Sequence, residues 1–131
     1  MAKRKDALVY LDTHIVVWLY DALTGRLSQT AAKAIEDHDL VISWMVELEL
    51  QFLHEIGRLR VKPAEIIRHL SAQIGLRQSD VGLERIVRAA ARMDWTRDVF
   101  DRLIAAESNA TDTPLITKDR TIRAHHKLSI W

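Results

Sequence analysis

Cysteine is missing from all 131 residues. That excludes disulfides, thiolate nucleophiles and cysteine-based zinc sites, and it suits a reducing compartment, so a cytoplasmic location is expected. Long apolar runs are missing too: nothing approaches the roughly 20 residues needed to cross a bilayer. Met1 to Tyr20 has the basic-then-apolar order of a secretion signal. Asp6, Asp12 and His14 interrupt it, however, and no small-residue cleavage pattern follows, so a buried first strand is expected instead. There is no excess of either charge. The formal net charge is +1, and nucleic-acid binding cannot be argued from that total.

The usual short motifs are absent as well. Neither a P-loop nor a Gly-x-Gly-x-x-Gly turn occurs, which removes the common nucleotide-binding readings. No Gly-x-Ser-x-Gly elbow is present for a serine hydrolase. An Asp-x-Asp phosphatase pattern fails because His14 stands where the second acid belongs.

Hydrophobic residues make up 48% and charged residues 28%, as expected for a packed core with a polar surface. The length suits one domain spanning 1–131, and no repeat, low-complexity segment or linker divides it. Charge is unevenly spread. Residues 1–53 carry a net −3 and residues 54–102 a net +3, where Arg85, Arg88 and Arg92 recur at helical spacing. That stripe reads equally well as a solvated helix face or as a track for RNA.

Short apolar runs alternate with helical patterns. Leu8 to Leu11, Leu40 to Ile42, Pro114 to Thr117 and Leu128 to Trp131 read as strands, with a weaker edge strand between Gly75 and Ser79. Ser28 and Ser43 are placed to cap helices, the second running from Trp44 to about Gly57. Pro63 suits the first turn of a helix reaching Ile74. Asp80 is placed to cap a helix reaching Met93, and Thr96 one from Arg97 to Ser108. The alternation predicts an α/β fold with a parallel sheet covered on both faces, and ligands gathered beyond the carboxyl ends of its strands.

Four acids stand out against this pattern. Asp12 and Asp119 follow strand runs. Glu49 shares a helical face with Met45, Phe52, Leu53 and Ile56, whereas Glu47 points away with Gln51, His54 and Glu55 into solvent. Asp101 lies one turn beyond Asp98 on the same face, with the small residues Ala105 and Ser108 below it. Each has a structural alternative: Asp12, Asp98 and Asp119 as residues at helix starts, Glu49 in an internal salt bridge. Together they suit a divalent cation, because oxygen-only ligands favour Mg²⁺ or Mn²⁺ over zinc, and such a site points to phosphodiester chemistry. The histidines are weaker candidates. His125 and His126 are adjacent on a segment expected to be exposed, and His14 either touches the site or orients the first helix. Trp18, Trp44, Trp95 and Trp131 fit either RNA bases or the core.

In order and spacing, several segments resemble the PIN-domain ribonucleases of the VapC toxin type. These are Leu11-Asp12-Thr13-His14 with Trp18, Ser43 six residues before Glu49, Gly57-Arg58-Leu59, Arg97 to Ala106, Leu115 to Asp119 and the terminal Ser129-Ile130-Trp131. Two positions depart from that pattern: Leu48, where Trp is common before the helix glutamate, and Val99, where Pro often follows the Arg-Asp pair. The resemblance implies a three-layer α/β/α domain with about five parallel strands in the order 3-2-1-4-5. It also implies that Asp12, Glu49, Asp101 and Asp119 bind Mg²⁺ or Mn²⁺ and carry catalysis, with Thr117, Asp98 and Thr13 beside them. It further implies endonucleolytic RNA cleavage, a homodimer, and a small antitoxin protein as partner. The competing expectation is a non-catalytic module of the same fold that only holds RNA or a protein.

Overall fold

A computed structural model describes residues 7–131; the basic start of the chain, residues 1–6, lies outside them. Strand β1 spans Leu8–Leu11, and helix α1, Thr13–Tyr20, follows after Asp12 alone. A short 3-10 turn at Thr24–Arg26 leads to α2, Gln29–Asp37, and then β2, Asp39–Ile42. Helices α3, Trp44–Glu55, and α4, Pro63–Ile74, precede β3, Arg77–Gln78. Then come α5, Leu83–Ala90, α6, Val99–Ala110, β4, Leu115–Ile116, α7, Arg120–His125, and β5, Ser129–Ile130.

All strand pairings are parallel, in the order β3-β2-β1-β4-β5. Helices flank this sheet in a three-layer α/β/α arrangement; α1, α3 and α4 pack on one another, and α5 packs along α6. The strands are short because both sheet faces are covered and each strand need supply only a few apolar side chains. Val9, Leu11, Leu40, Ile42, Leu115 and Ile116 are all essentially inaccessible. Burying each such side chain contributes ~1.5–3 kcal/mol before the cost of ordering it. A second cluster of Ile86, Ala90, Met93, Ala105 and Ala106 joins α5 to α6.

The chain runs outward from β1 to β2 and β3, then returns to β4 on the other side of β1. The switch point therefore lies between β1 and β4, where a crevice opens beyond the strand ends. Asp12 ends β1 and Thr117 ends β4 at that crevice.

Local signals explain most helix ends. Ser28 Oγ accepts from Ala31 N and Ser43 Oγ from Met45 N, each relieving a helix-start N–H. After α3 the chain turns at Gly57, whose φ of +80° a side chain would strain. Two expected caps are not used. Asp80 is exposed, Val81 N bonds Ser79 Oγ, and the backbone stays extended through Gly82, so α5 starts at Leu83 with no side-chain cap. At the other end α5 stops at Ala90, and Met93 turns into the core through a bond from its N to Ala90 O. Thr96 accepts from Asp98 N, and Asp98, not Thr96, caps α6.

Candidate functional site

Asp12 is 4% exposed and each carboxylate oxygen has a donor. Thr13 N donates to Oδ1 at 2.8 Å, which is the helix-cap role. The Thr117 hydroxyl donates to Oδ2 at 2.6 Å, which is a bond across the switch point from β4 to β1. Capping and site placement are therefore compatible, because each uses a different oxygen. Burial pushes Asp12 above the usual carboxylate range, while the bonds from Thr117 and Thr13 pull it back.

Glu49 is half-buried on α3, and its Oε1 accepts the Thr13 hydroxyl at 2.5 Å. Its pKa is raised by burial, opposed by the Thr13 bond, and raised again by the neighbouring charges of Asp12 and Asp98. The salt-bridge alternative for Glu49 is not realised. The ion pairs among the described residues, Lys33–Asp37 and Arg88–Glu84, are both on exposed helix surfaces. The core stripe of α3 is also not the one expected. Val46 and Leu50 are fully buried, while Phe52 and Ile56 face solvent, so Glu49 lies on the flank of the core face. Glu47 is half-buried and accepts from Gln78 Nε2 at 3.1 Å, where solvation was expected.

Asp101 is half-buried one turn into α6, and Asp98 caps that helix by accepting from Asp101 N at 3.0 Å. Asp119 caps α7 by accepting from Ile122 N, and its own N donates to Thr117 Oγ1 at 3.0 Å. Thr117 thus touches two of the four acids. Asp101 is pushed up to about 7, first by burial and then by the charges of Asp12, Asp98, Asp119 and Glu49. The four other acids are thus near enough for their charges to act on Asp101, although their sequence positions span more than a hundred residues.

The donor set fits a hard divalent cation. All the converging groups are carboxylates, and no described Lys or Arg forms an ion pair with any of them. Among the described residues, no three Asp, Glu or His side chains already form a closed ion cage. Mg²⁺ does not require one, because it binds through one or two carboxylates and keeps several waters. A cleft of about 220 Å³, lined by Asp12, His14, Trp18, Lys118 and Asp119, opens on this cluster. A larger hollow of about 440 Å³, beside Val17, Tyr20, Arg58 and Val61, contains none of the four acids.

Other expectations are corrected. Ala105 and Ser108 do not line the site: both are fully buried, Ala105 in the α5–α6 packing and Ser108 against Thr113 and His126. His126 is buried rather than exposed, with Nε2 2.8 Å from Ser108 Oγ. The Ser108 proton goes to Thr113 O at 2.5 Å, so His126 Nε2 carries the hydrogen in this bond. His125 stacks on Trp95 with rings 10° apart. In the basic stripe, Arg88 pairs with Glu84 and Arg85 donates to Ala110 O, tying α5 to the end of α6.

One buried acid escaped the sequence pattern. Glu107, on α6, is 1% exposed and its Oε2 has no hydrogen-bond partner. It faces Tyr10, whose hydroxyl is pushed up to about 12 by burial and then by Glu107. Its sequence neighbours carry no signal for this, since Glu in a helix is ordinarily a surface residue.

The family model described as "PIN domain" matches residues 9–128. The chain is 32% identical to the protein named Ribonuclease VapC22 of Mycobacterium tuberculosis, over 94% of this chain and 98% of that one. The fold matches the solved structure of VapBC2 from Rickettsia felis bound to a promoter DNA fragment, with a TM-score of 0.67 and 15% identity over 93% and 96% of the two chains. It also matches VapBC-1 from nontypeable Haemophilus influenzae, with a TM-score of 0.52 and 17% identity over 89% and 93%.

Proposed function

The chain belongs to the PIN-domain family, and from that premise we propose that it is a metal-dependent endoribonuclease, the toxin of a toxin–antitoxin pair. The reading is supported by the bonds that tie the acids together: Thr13 joins Asp12 to Glu49, Thr117 joins Asp12 to Asp119, and Asp12 and Asp119 line one cleft. The name of the mycobacterial relative supports RNA as the substrate.

Asp12, Glu49, Asp101 and Asp119 would hold Mg²⁺ or Mn²⁺. When bound, the ion would supply a water acidic enough to act as a nucleophile near neutral pH, and would offset charge building on the phosphate. The chain's own contribution is placement. Thr117 and Thr13 orient Asp12, and Thr13 orients Glu49 from the same turn. Asp98 anchors the start of the helix that carries Asp101. Asp101 is raised to about 7 without metal, and a bound cation would favour its ionised form.

The partners follow from the same reading. The VapBC titles of the structural neighbours support a cognate antitoxin for this chain. A homodimer is supported by a row of apolar side chains on α3 and the residue that ends it. Trp44, Leu48, Phe52 and Ile56 are each between 45% and 55% exposed, and Phe52 leans on Phe100 of α6 beside the exposed Val99. A toxin that cuts cellular RNA acts in the cytoplasm. No helix among the described residues is long and apolar enough to cross a membrane.

The test is cleavage of single-stranded RNA by the purified protein with Mg²⁺ or Mn²⁺, with EDTA, and with the Asp12→Asn variant. Cleavage that needs the metal and Asp12 supports the reading. Cleavage indifferent to both overturns the mechanism, and RNA affinity without turnover under any divalent cation favours a binding module.

A further inference from the structure

The acid cluster creates a difficulty for its own substrate. Asp12 and Asp119 line the cleft, and their negative charge repels a polyanion. A cation at the cleft's rim is needed to hold the strand, provided that it does not collapse onto the acids.

Lys118 occupies such a position. It sits between Thr117, which bonds Asp12, and Asp119, and it lines the same cleft as both acids. Yet it forms no ion pair with any described residue. Its Nζ lies 5.7 Å from the centre of the Trp18 ring and 5.8 Å from that of Trp131. The two indoles are 6.2 Å apart and tilted by 56°, so the ammonium is seated against both. Arg26 adds a second cation over Trp18, with Cζ 5.9 Å from the ring centre, and both cationic side chains are exposed. His14 borders the same ring at 6.4 Å.

The fold builds this arrangement from three separate places. Trp18 comes from α1, one and a half turns after Asp12. Trp131 is carried to the end of β4 by the register of β5, in which Ile116 pairs with Ile130 and Thr117 N bonds Ile130 O. Arg26 arrives on the 3-10 turn. Aromatic faces attract a cation without neutralising it, and they leave the ammonium's hydrogens free for an oxygen anion. With cations lying over the rings, phosphate contact fits this platform better than base stacking.

We propose that Lys118 and Arg26, seated on Trp18 and Trp131, clamp a backbone phosphate of single-stranded RNA next to the phosphate that is cut. This rests on the ribonuclease reading above. Lys118 is a positioning residue, and its contribution is independent of base sequence because every nucleotide presents the same phosphate.

The test is binding of a fluorescein-labelled oligouridylate, followed by anisotropy across a series of KCl concentrations. The full chain is used with Asp101→Asn to silence cleavage, with and without Lys118→Met. The expected result is roughly fivefold weaker binding at low salt, with the salt slope reduced by about 0.7, the value for one single-strand phosphate. Lys118→Arg should restore both. Arg26→Met should act in the same direction. Wild-type affinity and slope in Lys118→Met overturn the clamp, as does a loss of affinity with the slope unchanged, which would mark a structural role. Wild-type protein is assayed for cleavage in parallel. No turnover with any divalent cation, but a persisting Lys118 effect on slope, would sink the ribonuclease reading and leave the clamp standing. Turnover with no Lys118 effect would do the reverse.

Discussion

The Thr13 hydroxyl donates to Glu49 Oε1 at 2.5 Å, joining residues 36 positions apart, while Thr13 N donates to Asp12. One threonine thus holds two acids in a fixed relation. In Thr13→Val the shape is kept and the hydroxyl lost. The expected cost is ~1–3 kcal/mol in urea unfolding, since a partly buried carboxylate loses its donor. Cleavage should fall by about 10-fold or more as Glu49 loses its orientation. Thr13→Ser should retain most of both. Wild-type rates in Thr13→Val would show that Glu49 needs no such support.

Thr117 plays the matching part for Asp12. Its hydroxyl bond is the largest of the three influences, ahead of Thr13 N and His14, that keep this buried acid from rising further. Thr117→Val should therefore move the acid limb of the pH–rate profile upward, because Asp12 then stays protonated to higher pH. The rate at the plateau should fall less than the rate on that limb. An unmoved limb would remove Thr117 from this role.

Asp101 makes the metal-free protein sensitive to pH in a direction that can be worked out. Its pKa is about 7 when folded and 3.8 when unfolded, so between those values the folded state binds more protons. Stability should fall as pH rises from about 4 through about 7, and the loss should be complete above that. Urea unfolding in EDTA should show this slope for wild type, and Asp101→Asn should flatten it. A steeper or unchanged slope in the variant would contradict the assignment.

His126 has the opposite sign. Burial lowers its folded pKa below 6.5, so the unfolded chain takes up the proton first. Its contribution is fully present above about 6.5 and is lost as pH falls below that value. An NMR titration should find the His126 ring still neutral below about pH 6.5, where an ordinary imidazole is half protonated. Ser108→Ala should cost ~1–3 kcal/mol, because it leaves the ring N–H unpaired in a buried site.

The α3 row provides a separate prediction. Leu48→Glu puts a charge in the middle of Trp44, Leu48, Phe52 and Ile56, on an exposed face where folding should tolerate it. Light scattering should then report a dimer for wild type and a monomer for the variant, with the thermal midpoint of the monomer little changed. A wild-type mass for the variant would place the interface elsewhere.

Much of this was legible in the chain. The strand runs ending at Asp12 and near Thr117 stand out because parallel strands are buried on both faces and therefore read as short unbroken apolar runs. Ser28, Ser43 and Asp119 announce helix starts through chemistry local to one turn. The face of Glu49 was less legible: Phe52 and Ile56, expected inside with it, face solvent. Periodicity reveals that a helix has an apolar face, and α3 has two: Val46 and Leu50 inward, Trp44 and Leu48 outward. Nothing in a single sequence ranks one against the other.

Local order thus came from the sequence itself: which segments are strands, most of the residues that cap helices, and which acids stand near strand ends. These depend on contacts within a few residues. Tertiary structure alone decided which groups meet. Thr13 reaches Glu49, Thr117 reaches Asp12, Lys118 rests between Trp18 and Trp131, and His126 turns inward to Ser108. Those relations follow from strand order and register, which bring β4 beside β1 and β5 beside β4. Order and register are set by the packing of the whole core, and no short stretch of the chain encodes them.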